Sequence, residues 1–162
     1  MTTLNSQFIN RGPTLFLKLV IFFIGLAALG LCALLLLVSI NSEEVGYYRP
    51  ILIGMCVTSI PFFFGLYQAL KLLGYIDKNK AFSDLSVNAL KKIKFSAVTI
   101  SVMYVLGMPF IYYVGEKDDA PGVILIGLVL VAAPIVVAVF AAILQKLLRS
   151  AINIKLENDL TV

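Results

Sequence analysis

The sequence has no histidine, no tryptophan, only two cysteines, and few charges for its 162 residues. Without histidine, the usual neutral-pH general base and the commonest metal ligand are both missing. Cys32 and Cys56 lie inside apolar runs with no CxxC spacing and no Cys/His cluster, which disfavours a zinc site. They read as two small hydrophobes rather than as a disulfide. Charged residues make up 14% and apolar residues 60%, against about 25% and 45–50% in soluble domains. A soluble domain of this size cannot bury so much apolar side chain in one core. Part of the solvent must be lipid, and a secreted mini-protein, a disordered linker and a cytosolic enzyme are all disfavoured.

What is present in abundance is long uncharged sequence. A hydrocarbon core of ~30 Å needs about 20 helical residues, and residues 19–40, 51–70, 95–114 and 123–144 each supply such a run without Asp, Glu, Lys or Arg. The expectation is an all-α membrane protein: a single domain over 1–162 with four transmembrane helices, a loop at 71–94 and a tail at 145–162. The first run is longer than a signal-peptide core, and Val38-Ser39-Ile40 is a poor cleavage site, so it is expected to stay as an anchor.

Orientation follows from the basic residues, which are retained on the cytoplasmic side. Arg11, Lys18, Lys71, Lys78, Lys80, Lys91, Lys92, Lys94, Lys146, Arg149 and Lys155 fall on one side, and only Arg49 and Lys117 on the other. This predicts both termini in the cytoplasm. The net charge of +4 is then mainly a topology signal, and direct nucleic-acid binding is not expected. Tyr47, Tyr48, Tyr112 and Tyr113 match the outer headgroup layer and Tyr75 the inner one. Pro50 and Pro121 suit first helical turns, where a missing N–H costs nothing. The two outer loops, about ten and eight residues long, leave room only for hairpins.

Little chemistry is visible inside the spans. Pro61, Pro109 and Pro134 predict local bends; a transport hinge is one reading and ordinary membrane-helix composition the simpler one. No ionisable group interrupts the spans, which argues against a proton-coupled carrier. Thr58, Ser59, Gln68, Thr99, Ser101, Tyr67 and Tyr104 suit hydrogen bonds between helices, with Thr58 and Ser59 placed to satisfy carbonyls near Pro61. Gly65 with Ala69, and Ala138 with Ala142, are small-residue pairs that allow close packing and leave homo-oligomers open. No catalytic constellation or cofactor motif appears, and Asp119 reads as a helix N-cap ahead of Pro121. The chain is therefore expected to be a non-enzyme without cofactor or metal.

The inner loop and tail are the distinctive segments. Gly74 is placed to end the extension of span two. Ser83 suits an N-cap, with Phe82 and Val87 in hydrophobic-staple positions. Leu85, Ala89, Leu90 and Ile93 then predict a short amphipathic cytoplasmic helix running into span three. Leu147, Leu148, Ala151, Ile152 and Leu156 suit an amphipathic continuation of span four, before an ending of Glu157-Asn158-Asp159-Leu160-Thr161-Val162 that is able to join a sheet edge or to fray. Either segment serves for lipid anchoring through lysine or for docking a cytosolic partner.

The stretch Tyr75–Lys94, the Asp-Asp-Ala-Pro-Gly at 118–122 and the terminal Glu-Asn-Asp-Leu-Thr-Val resemble the bacterial membrane-protein family known as domain of unknown function 2975. The resemblance runs from about the first span to the last residue. It implies a four-span inner-membrane protein with no defined catalytic residues, associated with small helix-turn-helix regulators of the Cro/repressor type. The leading expectation is that the cytoplasmic face binds or sequesters such a regulator through Phe82, Ser83, Leu85, Leu90, Asp159, Leu160, Thr161 and Val162. An alternative is an immunity or envelope-stress protein acting through Glu43, Glu44, Tyr47 and Tyr48, or through the bilayer. A third is a passive transporter depending on Pro61 or Gln68.

Overall fold

The structure, a computed structural model, describes residues 2–43 and 46–161, with the backbone alone for residues 2–11. Glu44, Val162 and the Arg11 side chain lie outside the described residues. Four helices follow one another: α1 (Thr2–Asn41), α2 (Arg49–Asp77), α3 (Asp84–Lys117) and α4 (Pro121–Leu160). Each expected span lies within one of them, and all four are long and apolar enough to cross a membrane. The helices outlast the spans. At about 1.5 Å per residue, the 40-residue α4 extends ~60 Å, twice the ~30 Å hydrocarbon core.

The bundle packs in chain order, α1 on α2, α2 on α3 and α3 on α4, with the last pair sharing the largest interface. Among the described residues α1 and α4 share no packed interface. α3 carries the largest set of buried residues, among them Val87, Ala97, Ile111 and Val114. On α1, Phe22, Phe23, Leu26 and Leu29 are exposed, a surface that water cannot cover without cost and an apolar environment such as lipid can.

Two glycines set the α3–α4 approach. A Cβ on Gly127 would sit 2.8 Å from Ile111 Cγ2, and one on Gly115 would sit 2.7 Å from Ile124 Cγ1. Elsewhere Gly65 approaches Ser96, and Ala138 is buried beside the half-buried Ala142. Polar side chains divide their bonds. Ser101 Oγ donates across to Val131 O at 3.0 Å, close to Pro134, while Ser96, Ser59 and Thr99 donate to carbonyls four residues back in their own helices. Thr58 and Ser59 both donate to Met55 O, which is not the Val57 carbonyl that Pro61 leaves without its helical partner.

The turns differ from expectation in instructive ways. α2 does not end at Gly74 but runs to Asp77, and Asn79 takes a left-handed conformation at φ 56°. Lys80 N–H donates to Tyr75 O and Asn79 N–H to Ile76 O, the two bonds of a Schellman cap. The α3–α4 turn repeats it: Asp119 has φ 51°, Ala120 N–H donates to Gly115 O and Asp119 N–H to Glu116 O. Asp119 therefore closes α3 rather than capping α4, whose N-cap is Ala120. Ser83 is the N-cap of α3 as expected, in extended backbone, but its Oγ donates back to Lys80 O and no side-chain cap bond forms. Phe82 stays exposed while Val87 is buried, so the two do not close as a staple. Residues 84–94 are the first turns of α3, continuous with the span. The arm before span one is also helical, through Pro13, and the tail is helical to Leu160 rather than extended.

Candidate functional site

Successive helices run antiparallel, so the end of α2, the 78–83 turn, the start of α3 and the last turns of α4 share one end of the bundle with the start of α1. Lys18 forms an ion pair with Asp77, and Thr14 Oγ1 donates to the same carboxylate at 2.5 Å. A carboxylate in the last turn of a helix faces unpaired carbonyls and is disfavoured there. The ammonium and the hydroxyl from α1 offset that field and clamp α1 onto α2.

Two of the residues selected from the sequence present apolar surface here: Phe82 is 60% and Leu85 50% exposed. Leu90, by contrast, is 6% exposed and belongs to the helix packing rather than to a contact surface. Ser83 is half-buried and held by its bond to Lys80 O. In the tail, Leu160 is 87% exposed, Asp159 is exposed beside it, and Thr161 Oγ1 folds back onto Glu157 O and Asn158 O. Counted from the expected span edges at residues 144 and 95 at ~1.5 Å per residue, α4 continues roughly 24 Å to Leu160 and α3 starts roughly 16 Å earlier, at Asp84. The tail and the turn thus project from the same end, the tail further. Leu147, Ile154 and Leu156 are also exposed on the projecting part of α4. Ile154 did not stand out in the sequence, because the burial of one α4 face against α3 decides which apolar positions remain open.

At the opposite end the two short turns are tied together. Tyr47 Oη donates to Asp118 Oδ1 at 2.6 Å and Tyr48 Oη donates to Asp118 Oδ2. Lys117 Nζ lies 4.4 Å from the Tyr47 ring centre and 5.6 Å from that of Tyr113, within cation–π range. The bond to Asp118 raises the Tyr47 phenol above its ordinary value, since it holds the proton against a carboxylate. Arg49 closes the same turn onto Ser39 O. The tyrosines that the sequence offers as an outward-acting surface are engaged inside the protein, while Glu43 is exposed.

Among the described residues there is no cluster of His, Cys, Asp or Glu able to hold a metal ion. Cys32 and Cys56 are free thiols brought together across α1 and α2, with Cys56 Sγ 3.9 Å from Cys32 O. Gln68 is buried on α2.

A family model described as "Protein of unknown function (DUF2975)" matches residues 37–162. Over 159 residues the chain is 55% identical to the "Uncharacterized membrane protein YoaS" of Bacillus subtilis (strain 168), covering 94% of this chain and 99% of that protein. No solved structure matches the chain.

Proposed function

This chain belongs to the DUF2975 family of proteins of unknown function, and we propose that it is a non-enzymatic anchor in the bacterial cytoplasmic membrane that holds a small soluble helix-turn-helix regulator. The observation that carries the reading is the projection of α4. Some sixteen residues, 145–160, continue past the expected span as helix, with Leu147, Ile154, Leu156 and Leu160 exposed. Exposed apolar residues grouped where lipid does not reach mark an interaction surface. Phe82 and Leu85 add to it at the same end.

The basic residues concentrated at that end support its placement in the cytoplasm with both termini inside. Amphipathic helices are read by partners as anchors at i, i+3, i+4 and i+7; Leu147 with Ile154 has the i, i+7 spacing, and Leu156 with Leu160 has the i, i+4 spacing on the opposite side of α4. The class of regulator rests on the family resemblance of the 75–94 and 157–162 segments. Regulator held at the membrane is kept from its DNA.

The test is co-purification from native membranes of the full chain against one ending at Leu156. Tail-dependent recovery of a helix-turn-helix protein supports the reading. Equal recovery with both chains, or none with both chains fully inserted, contradicts it.

A further inference from the structure

We propose that the four helices form a second, intramembrane site: a laterally open groove that takes a neutral lipophile carrying one carbonyl-type hydrogen-bond acceptor. The groove has a volume of about 380 Å³ and is lined from all four helices, within the roughly 300–1,000 Å³ of ligand pockets. Ala28 and Leu35 belong to the α1 wall, Ala133 and Val137 to the α4 wall, and α2 and α3 supply the floor. Because α1 and α4 share no packed interface among the described residues, these walls stand apart. Leu31 and Val137, one on each wall, are 52% and 51% exposed, as residues at a mouth would be.

The polar groups in the lining define the ligand. Thr58, Ser59 and Tyr104 bring three hydroxyls into an otherwise apolar lining that holds no ionisable acid or base beyond the Cys32 thiol and the tyrosine itself. Thr58 Oγ1 lies 2.8 Å from Met55 O and 3.3 Å from Tyr104 Oη. Its single hydrogen goes to the carbonyl, so Tyr104 must donate to Thr58 over the longer distance, beyond the usual ~2.5–3.0 Å for O–H···O. The tyrosine O–H is thus the donor with most to gain from a better acceptor.

Depth narrows the choice. Tyr104 is the tenth residue of the 95–114 span, roughly 15 Å from either edge, at the bilayer centre. A phospholipid headgroup stays at the interface and its hydrocarbon tail offers no acceptor. A charged ligand would meet the cost of charge at mid-bilayer with no counter-ion in the lining. What remains is an apolar body with one neutral oxygen.

The test uses two probes of equal length, each carrying a diazirine: a long-chain methyl ketone and the matched hydrocarbon. Both are photoactivated with the purified full chain in phosphatidylglycerol/phosphatidylethanolamine vesicles. The ketone should label α2 and α3 near Thr58 and Tyr104 more strongly than the hydrocarbon does. Tyr104→Phe should lower ketone labelling by about three- to tenfold, the range a single neutral hydrogen bond carries, and leave hydrocarbon labelling unchanged. Ala133→Phe, which fills the groove from α4, should lower both. Equal labelling of the wild-type chain by the two probes would overturn the proposal, as a groove filled by ordinary acyl chains. So would an unchanged ketone signal in Tyr104→Phe, or no labelling by either probe, as expected if a second copy fills the groove.

Discussion

Lys18 of α1 pairs with Asp77 in the last turn of α2, and Thr14 donates to the same carboxylate one turn away. α1 stands at one end of the chain-order packing, resting on α2, and this clamp fixes its register against the last turn of α2. Asp77→Ala removes both partners' acceptor and should cost about 1–2 kcal/mol; Lys18→Met should cost less, because a half-exposed ion pair contributes only ~0–1 kcal/mol. Unfolding in detergent followed by circular dichroism measures both, and equal stability of Asp77→Ala and wild type would remove the clamp.

Asp119 sits at φ 51° and closes α3. A left-handed conformation costs a residue with a Cβ about 1–2 kcal/mol, less for Asp and Asn, and nothing for Gly. Asp119→Gly should therefore raise stability by roughly 0.5–1 kcal/mol. If Asp119 were the N-cap of α4, the same change would instead cost a few tenths of a kcal/mol. The sign of the shift in unfolding midpoint decides.

The four long apolar helices were legible because hydropathy and charge are local, and the uncharged runs needed no knowledge of neighbours. What was not legible depended on partners. Leu85 and Leu90 look alike in sequence, yet the packing of α3 leaves the first exposed and buries the second. Asp ahead of Ala-Pro fits both an N-cap and a left-handed closure, and the Gly115 carbonyl that accepts from Ala120 settles it. The Tyr47, Tyr48 and Asp118 cluster joins residues about 70 positions apart. The two glycines that matter for packing, Gly115 and Gly127, face each other's helix across a turn and lack the four-residue spacing that singled out Gly65 with Ala69.

Gly127 gives a steric prediction. Gly127→Ala would place a methyl 2.8 Å from Ile111 Cγ2, and such overpacking costs about 1–3 kcal/mol. Gly30→Ala, where nothing lies within 4 Å, should be neutral or stabilising, since alanine is the better helix former by ~1 kcal/mol. Comparing the two variants' melting temperatures separates packing from propensity.

The α1–α2 and α3–α4 turns carry a pH dependence. The Tyr47 phenol is raised, first by its bond to Asp118 and then by desolvation. A phenol raised in the folded state adds stability that is fully present below its unfolded value near 10 and is lost as pH rises through the folded value. In a tyrosinate absorbance titration, the difference between wild type and Tyr47→Phe isolates this residue. In an Asp118→Ala background its midpoint should fall toward 10; an unmoved midpoint would show that Asp118 is not the cause.

The docking surface is tested most directly by placing a photo-crosslinking amino acid at Leu160, at Phe82 and, at the other end, at Tyr48, in the chain expressed in its native host. A cytoplasmic anchor for a regulator predicts one small adduct at Leu160 and Phe82, identified by mass spectrometry as a helix-turn-helix protein, and no adduct at Tyr48. Adducts confined to Tyr48, or none at Leu160 with the chain fully inserted, would contradict it.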